Sequence, residues 1–483
     1  TRLMMAAFYP TIRYYFPVAN GNWDGAIMHT LLAIAVFTDN RELFDNAVYH
    51  YLHANANGSL IKYIYPTGQC QETRRDQGHV QMGLYEFSGA ARIAYTQGVD
   101  LFSAADNRLA LGLEYSARFI CGDSVYAYGV PSQRERFKYR AGFEHCIDHF
   151  TAKGVNMPYL KELCSRTNMN NPANALWKLT AFREEFRQKP SELVDIQESN
   201  IAYHAGATLE QAQPVGHSVI EVNNREDLQA VLNTNAGSGK TLFLRAGEYR
   251  LKQSLTIPSD IHICGEGRST VLICEPTIRT AAILLGDLDA KNITIENLVV
   301  DGSKEHQEAY DPNSGRFYRT GRYSNALAGI SMRGEAGHAF SNIKLKNLTV
   351  INFSRSGVYI SDAEGIEIDH CDFTENGAHV VPGPRLQHNL MIQHSSNIMI
   401  KDSRFDTSIR GCGLVLDHCK SLKVENCEIA RNGWHGLLMA ECHNGKIENC
   451  LVEGNDGCGF MGEYLHDGSN LIQIRHNKIQ YNN

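Results

Sequence analysis

The sequence has no apolar run of the eighteen or more residues that a membrane-spanning helix requires, so no membrane partner is expected. It also has no basic excess, because 46 Lys and Arg stand against 53 Asp and Glu, for a net charge of −7. This balance argues against nucleic acid as a partner, which usually requires a basic face. An acidic polymer is compatible with it, because a cleft can be locally basic within an acidic protein.

No secretory signal peptide is visible at the N-terminus, which begins TRLMMAAFYP. Both ends look as if residues had been removed, so the missing signal peptide is weak evidence for a cytoplasmic location. We expect a secreted or periplasmic protein. The 13 cysteines are an odd number and lack the spacing of a compact disulfide framework. Several recur at a fixed period late in the chain, which predicts buried thiols stacked on one another.

Helical periodicity occupies residues 1–187, where apolar stripes alternate with polar loops. The stretch 188–216, with Pro190 and Pro214, is typical of a linker, and strand patterns then fill residues 217–483. A chain of 483 residues is long enough for these two domains. Paired helices joined by short loops indicate a helical hairpin array in the first of them. The predicted helices cover residues 23–37, 41–52, 72–95, 109–120, 145–163 and 173–187.

A repeat is the strongest structural signal, with strand-like units typically 23 or 24 residues apart. Three short strands per turn, with polar turn residues in register, are typical of a right-handed parallel β-helix. Asparagine amides can satisfy one another along such a stack, and small thiols can fill its interior. We therefore predict a structural role for these columns. The aligned residues are Asn297, Asn347, Asn426 and Asn449, then Cys371, Cys427 and Cys450, then Cys419 and Cys442.

Three segments of the helical part resemble the alginate lyase superfamily: NGNWD (20–24), QETRRDQGHVQMGL (71–84) followed by GVDLF (98–102), and FEHCIDHFTAKGVNMPY (143–159). The resemblance covers most of residues 1–160 and implies a polysaccharide lyase with an α/α-toroid. The family's domain is usually longer on its N-terminal side.

Residues 217–483 resemble the pectin-lyase-like β-helix superfamily. The segments LQAVLNTNAGSGKTLFLRAGEYRL (228–251) and IHICGEGRSTVL (261–272) carry that resemblance. It implies the fold and leaves the activity open, because the superfamily includes lyases, hydrolases, mannuronan epimerases and binding modules.

Cleaving a uronate polymer by β-elimination needs a group that neutralises the carboxylate, a base for the C5 proton and an acid for the leaving oxygen. Asn22 and Arg75 suit the first task, because they supply amide and guanidinium donors, and no metal or cofactor is then required. The resemblance implies this role for Asn22. Many family members continue with His, whereas Trp23 follows here, which leaves the base unassigned at that position. Trp23 suits stacking on a sugar or packing in the core.

The segment Gln71–Gly83, interpreted as one helix, places Glu72, Arg75 and His79 on one stripe. We take His79 as the preferred base, because its ordinary pKa lets it be neutral and basic near pH 7. Glu72 would orient Arg75. A solvated helix face could carry the same residues.

The catalytic acid stays open. Members of the resembled family commonly use Tyr, and Tyr14 and Tyr15 lie just before NGNWD. His145 and His149 lie four residues apart in a segment that brings a second His or Tyr to the site in that family. Such a pair could instead bind a metal, although no third ligand is evident in the sequence.

In the β-helix half, aligning the repeats stacks Asp362, His394, His418 and Glu441 in one column, with Arg410 on a neighbouring turn. This surface would suit a second sugar-polymer site, or it is an ordinary solvated turn column. The DPH motif of the uronan epimerases of this fold is not found here.

The leading hypothesis is a polysaccharide lyase that acts on alginate or another uronate polymer, with the chemistry in the helical domain. One alternative moves the chemistry into the β-helix, as an epimerase or hydrolase. Another is a non-catalytic glycan-binding scaffold. The sequence does not decide between endo and exo cleavage, or set the oligomeric state.

Overall fold

The structure is a computed structural model that describes residues 1–15, 21–54, 58–167, 192–196, 205–214, 218–275, 277–303, 308–311, 316–319, 328–334, 340–378, 387–463 and 471–483. The chain divides into two compact units, Thr1–Tyr203 and His204–Asn483. Among the described residues, no helix is both long enough and apolar enough to cross a bilayer.

The first unit is helical. A π-helical turn at Met4–Phe8 precedes α1, and a 3-10 turn at Gln71–Arg74 precedes α5. One short parallel strand pair, β1 (Val155–Asn156) with β2 (Val194–Asp195), joins distant segments. The helices are α1 (Tyr9–Ile12), α2 (Gly21–Thr38), α3 (Arg41–His53), α4 (Leu60–Tyr63), α5 (Gln77–Thr96), α6 (Ala104–Cys121), α7 (Glu144–Ala152) and α8 (Pro158–Ser165).

Local signals set the helix ends. Asn40 has an extended backbone, and its side chain accepts a hydrogen bond from the Leu43 N–H at 3.0 Å, so α3 begins there. Gly98, with a φ of +84°, follows the end of α5 in the left-handed conformation that glycine allows. Met28 of α2 and Phe87 of α5 lie fully buried in the core of this unit. The predicted helices over 23–37, 41–52 and 109–120 are confirmed.

Two predicted helices are interrupted. The one over 72–95 is broken at Asp76, whose backbone is extended (φ −170°, ψ 160°) because its side chain caps α5. The one over 145–163 ends at Ala152, since Gly154 takes a φ of +85° and Pro158 starts a new helix. The predicted helix over 173–187 lies outside the described residues.

The second unit begins with a short helix, α9 (Leu228–Thr234), and continues as three parallel sheets. From Thr241 to Glu463, each turn of the chain contributes one strand to sheet A, then to sheet B, then to sheet C, which is the arrangement of a parallel β-helix. Sheet A contains Val219–Val222, Thr241–Leu244, Ile261–Gly265, Lys291–Glu296, Phe340–Lys346, Ala363–Asp369, Ser396–Lys401, Lys420–Glu425, His443–Glu448 and Ile472–Arg475.

Sheets B and C have shorter strands. Sheet B contains Gly247–Leu251, Thr270–Cys274, Val299–Asp301, Thr349–Ile351, Asp372–Thr374, Arg404–Asp406, Glu428–Ala430, Leu451–Glu453 and Lys478–Gln480. Sheet C contains Leu255–Ile257, Ala281–Leu285, Ala328–Arg333, Ser356–Ser361, Leu390–Gln393, Leu414–Asp417, Leu437–Ala440 and Phe460–Glu463. A separate antiparallel hairpin pairs Glu308–Asp311 with Arg316–Arg319.

Register keeps the core continuous from turn to turn, because parallel strands align like residues and alternate residues share a face. One buried aliphatic column on sheet A shows this alignment. It runs through Ile263, Ile295, Leu345, Ile368, Ile400, Val424 and Ile447.

The predicted columns of asparagines and thiols are present. Asn347 Nδ2 donates to Asn297 Oδ1 at 2.7 Å, and both residues have positive φ, which Asn tolerates better than most residues. Farther along, Asn426 Nδ2 donates to Asp402 Oδ1 at 3.1 Å. All thirteen cysteines are free thiols, and Cys371 is typical in donating from a buried Sγ to the carbonyl oxygen of Leu345 on the preceding turn.

A second asparagine ladder, which the sequence analysis did not find, lies in the interior at the turns between sheets B and C. Its amides bond one another in order at 2.7–3.1 Å, which satisfies polar groups that the helix interior would otherwise leave unpaired. The ladder consists of Asn376, Asn389, Asn432, Asn455 and Asn482.

Candidate active site

The segment Gln71–Gly83 consists of a 3-10 turn, a break and the first turns of α5. Asp76 lies at the break and caps the helix, because its Oδ1 accepts a hydrogen bond from the His79 N–H at 2.8 Å. The stripe predicted for one continuous helix is therefore replaced by a corner, which places Glu72 and Arg75 before the break and His79 after it.

Asp76 also contacts the ring of His79. Both carboxylate oxygens lie 2.8 Å from His79 Nδ1, and Asp76 is almost fully buried, whereas 27% of the His79 side chain is exposed. A carboxylate at Nδ1 favours the tautomer with a proton there, which leaves Nε2 as the basic nitrogen. This arrangement suits a general base.

The charge on Asp76 is maintained by its surroundings. Burial alone would raise the pKa of this carboxyl, but hydrogen bonds from the His79 main chain and ring, with the charges of His79 and Arg134, hold the pKa below its ordinary value. Arg134 Nη1 lies 3.6 Å from Asp76 Oδ2. Asp76 therefore stays ionised near neutral pH and can stabilise a protonated His79 ring.

Glu72 and Arg75 form a pair on the other side of the break. Glu72 is fully buried, and its Oε2 lies 3.6 Å from Arg75 Nη1, while the Arg75 side chain is 46% exposed. This is the geometry expected if Glu72 orients the guanidinium.

Buried glutamine side chains hold the loop 124–140 against the start of α5. Gln77 Nε2 donates to the carbonyl oxygen of Ser132 at 2.9 Å, and Gln81 Nε2 donates to that of Lys138 at 2.8 Å. The Gln77 N–H also donates to the carbonyl oxygen of Arg134 at 3.0 Å. The loop is thereby fixed beside His79, and its side chains become part of the site.

This loop brings positive charge to the site. Glu135 packs on Gly78, where an added Cβ would lie 2.2 Å from Glu135 Oε2, and Arg140 Nη2 lies 3.7 Å from the same carboxylate. A residue larger than glycine at position 78 would displace this contact. Exposed cations of this region include Arg74, Arg75, Arg134, Lys138 and Arg140.

Asn22 lies next to the same segment. The Gly21 N–H donates to Gln71 Oε1 at 2.8 Å, and Asn22 Nδ2 lies 4.0 Å from Met82 Sδ, a weak acceptor. Asn22 is buried, and its Oδ1 has no hydrogen-bond partner among the residues that the structure describes. A buried amide with so little satisfied hydrogen-bonding capacity is unusual, and it is suited to receiving a ligand.

The predicted aromatic residues differ in exposure. Trp23 is 55% exposed and Tyr14 is 64% exposed, so both rings can be reached by a ligand. Tyr15 instead stacks on His50, with ring centroids 3.3 Å apart. Burial, with the nearby charge of Asp24, raises the pKa of Tyr15 well above its ordinary value, so this phenol keeps its proton.

His50 and Asp24 form a second His–Asp pair that the sequence analysis missed. His50 Nε2 lies 3.4 Å from Asp24 Oδ2, and Asp24 is buried. A Cβ at Gly58 would come within 2.4 Å of both groups, so only glycine fits there.

His145 and His149 lie in the core. His149 stacks on Phe102 at a centroid distance of 4.1 Å, and both histidines are at least 95% buried. Burial lowers the pKa of His145 to about 3, with a further contribution from Arg92. This environment argues against a catalytic role for either residue and explains them as packing residues.

The predicted column of the second unit is present. Asp362, His394, His418 and Glu441 each follow aligned strand ends on sheet C, and all four have positive φ. The rings of His394 and His418 lie 5.0 Å apart, and His418 Nε2 lies 2.9 Å from Glu441 Oε2. Arg410 is exposed.

Three further residues extend this column into a continuous polar chain. Tyr359 Oη donates to Gln393 Oε1 at 2.7 Å, and Gln393 Nε2 donates to Asp417 Oδ2 at 2.6 Å. Asp417 Oδ1 lies 2.6 Å from His418 Nδ1, and this contact, with a contribution from Glu441, raises the pKa of His418. The partners of a protonated His418 are therefore already in place.

Sequence signals existed for some of the missed residues. In RRDQGH, an Asp three residues before His79 is an N-cap signal that the single-helix interpretation hid. In SQRERFKYR, cations recur at every second position from Arg134 to Arg140. No local sequence pattern marks the pairing of His50 with Asp24, because the two residues lie on different helices, α3 and α2, which come together only in the fold.

Two family models match the chain. Residues 5–125 match the model described as alginate lyase, and residues 282–479 match the model described as right-handed beta helix region. These matches confirm both resemblances inferred from the sequence and support a carbohydrate-active protein. The comparison with curated proteins gives no match.

Solved structures resemble about half of the chain at low identity. The A-module of a mannuronan C-5 epimerase from Azotobacter vinelandii is 14% identical, with 54% of this chain and 95% of that chain covered and a TM-score of 0.26. The Family 28 exopolygalacturonase of Yersinia enterocolitica is 13% identical, with 55% and 66% covered and a TM-score of 0.35. Likeness at this level carries no argument about activity.

Proposed function

We propose that the protein is a polysaccharide lyase that cleaves a uronate-containing polymer, such as alginate, by β-elimination, with the reaction in a helical unit of the α/α-toroid type. The observation that carries this proposal is the buried Asp76 carboxylate on Nδ1 of the partly exposed His79, beside exposed guanidinium groups. The family match over residues 5–125 supports the same reaction class.

The first requirement is to neutralise the uronate carboxylate, because negative charge builds up there as C5 loses its proton. Arg75, held by Glu72, offers a planar guanidinium that can bind a carboxylate through two parallel hydrogen bonds. Asn22 supplies the Nδ2 amide donor, whose contact with Met82 Sδ at 4.0 Å is weak. Arg134 adds a second positive charge at the corner.

The second requirement is a base. His79 Nε2 takes the C5 proton, and the imidazolium that forms is stabilised by the ionised Asp76 at Nδ1. The C5–H electron pair becomes the C4–C5 double bond, and the C4–O4 bond breaks.

The third requirement is a proton for the leaving O4. We assign it to Tyr15, a phenol that is protonated at neutral pH and whose ring stacks on His50. After donation, the phenolate would recover its proton from solvent before the next turnover. Trp23 and Tyr14, with exposed rings, would stack on neighbouring sugars.

The test is to incubate the full chain with a panel of uronate polymers and follow the ultraviolet absorbance of the unsaturated product. The proposal predicts that absorbance together with new chain ends for at least one polymer. Chain cleavage without unsaturation would indicate a hydrolase, isomer change without cleavage an epimerase, and binding without any product a scaffold. Each of these three results would overturn the lyase proposal.

A second candidate function has one specific observation in its favour. The polar chain from Tyr359 through Gln393 and Asp417 to His418 would suit acid–base chemistry on sheet C. An epimerase or hydrolase in the β-helix would then use His418. Activity that is lost in His418→Ala and kept in His79→Ala would favour it.

A further inference from the structure

Sheet A presents three metal-binding side chains close together on its outward face. His262 and Cys264 lie two residues apart on the strand Ile261–Gly265, so they point to the same side. Glu296 lies directly opposite Cys264 on the neighbouring strand Lys291–Glu296. One ligand atom from each residue lies within 4.8 Å of the other two.

The histidine is already oriented for coordination. Its Nδ1 lies 3.0 Å from Thr241 Oγ1, on the strand at its other side, and its Nε2 lies 2.8 Å from Glu296 Oε1. An outer-shell partner on one ring nitrogen, with the other nitrogen facing the ligand cluster, is the usual arrangement of metal-binding histidines. The His262 and Glu296 side chains are about one-third exposed, so an ion can reach them from solvent.

We propose that His262, Cys264 and Glu296 bind a divalent transition metal of the Zn²⁺ class, with a fourth position left for water. Ligand atoms at about 2.0–2.3 Å from a tetrahedral ion are separated by roughly 3.3–3.7 Å, which the spacing of these three atoms can reach with small side-chain rotations. On binding, Cys264 releases its proton to solvent, and the ion takes the place of the proton between His262 Nε2 and Glu296 Oε1, which also passes to solvent.

The donor set decides the class of ion. One imidazole, one thiolate and one carboxylate suit Zn²⁺ or Co²⁺, whereas Ca²⁺ and Mg²⁺ prefer oxygen ligands alone. The three donors come from consecutive turns of the β-helix, so the ion would also tie these turns together.

A second cluster, several strands farther along sheet A, gives a contrast. Asp369, His370 and Asp402 also offer three ligand atoms within 4.8 Å of one another. There the ammonium of Lys401 lies 3.1 Å from Asp369 Oδ2, so a cation would have to displace an existing positive charge. We therefore place the site at Cys264 and use this cluster as a control.

The experiment titrates Co²⁺ into the chelator-treated full chain and follows the thiolate-to-cobalt charge-transfer band, with Zn²⁺ competition for affinity. We expect the wild-type chain to bind one equivalent of Co²⁺ and to show that band. Cys264→Ser and His262→Ala should lose the band, whereas Cys458→Ser and Asp369→Asn should leave it unchanged. Thr241→Val should keep the band and weaken affinity by at least about tenfold.

The variants must show the circular dichroism of the folded chain, and Glu296→Gln provides a further ligand test if one of them does not. A band that survives in Cys264→Ser, or that disappears in Asp369→Asn, would overturn the assignment. So would the absence of any stoichiometric Co²⁺ or Zn²⁺ binding by the wild-type chain.

Discussion

Asp76 contacts His79 twice, once at the main chain and once at the ring. Its Oδ1 accepts the His79 N–H at 2.8 Å, and both oxygens lie 2.8 Å from His79 Nδ1. The residue that starts helix α5 is therefore also the residue that fixes the tautomer and orientation of the proposed base. Helix capping and the proposed catalysis are coupled through one carboxylate.

Substitution of either member of this pair should lower the rate of polymer cleavage. His79→Ala removes the base and should reduce kcat by about 10²–10⁴-fold, the usual contribution of a positioned general base. Asp76→Asn keeps a good helix cap but loses the negative charge behind the ring, and should reduce kcat by at least about tenfold with little loss of stability.

The matched control is His53→Ala, an exposed histidine on α3 outside the site. Steady-state kinetics and thermal unfolding would be measured on all three variants. Unchanged kcat in Asp76→Asn, with α5 intact, would show that the carboxylate serves only as a cap.

Removing the cations should weaken substrate binding more than the chemistry. Arg75→Gln and Arg134→Gln each remove an exposed positive charge, and we expect KM to rise by about threefold to tenfold, more strongly at low ionic strength. Arg75→Lys should recover only part of this loss, because it lacks the planar fork. Arg41→Gln on α3 is the control, and an equal KM change there would remove the case for a specific carboxylate site.

Glu114 should make stability depend on pH. Burial raises the pKa of Glu114 to about 7, although its carboxylate accepts the N–H groups of Tyr159 and Leu160 at 3.1 and 2.8 Å. The pKa of Glu in the unfolded chain is about 4.3. The stabilisation that comes from the raised pKa of Glu114 is therefore fully present below that pH and is lost as the pH rises through about 7.

The free energy of unfolding would be measured by urea titration between about pH 5 and pH 8. In Glu114→Gln, the fall in the free energy of unfolding over this pH range should be smaller than in the wild type by roughly 3 kcal/mol. Substitution of the exposed Glu42 by Gln should leave that fall unchanged. Parallel pH profiles for wild type and Glu114→Gln would contradict the assignment.

The interior asparagine ladder should dominate the stability of the later turns. The Asn432 side chain makes four hydrogen bonds, to the Ser408 N–H, the Phe405 carbonyl oxygen and the side-chain amides of Asn389 and Asn455. Asn432→Ala leaves buried groups unpaired and should cost roughly 2–4 kcal/mol in the free energy of unfolding. Exposed Asn233→Ala on α9 should change it by less than about 0.5 kcal/mol, and similar losses in both variants would contradict the ladder's role.

The sequence predicts the repeat and its columns well, because a β-helix imposes one register on every turn. Asn297 and Asn347, which share one column of the repeat, are hydrogen-bonded to each other in the structure. The same periodicity placed His394 above His418. In such a fold, residues one repeat apart in the sequence are neighbours in space, so the repeat period predicts the long-range contacts.

The helical site is harder to predict, because its contacts join residues far apart in the chain. The Asp76 break is local and could have been recognised from its capping pattern. The loop that carries Arg134 reaches α5 through the side chains of Gln77 and Gln81, and no periodic signal marks such a contact. His145 and His149 are spaced like metal ligands, but the structure buries both side chains, and His149 stacks on Phe102.

The most direct test of the account compares His79→Ala with His418→Ala in the full chain, on a uronate polymer that the wild type cleaves. Formation of the unsaturated product is followed by ultraviolet absorbance, with folding of both variants checked by circular dichroism. The account predicts that His79→Ala loses the activity and that His418→Ala retains it. Full activity in His79→Ala, with loss in His418→Ala, would contradict it and place the chemistry on the β-helix.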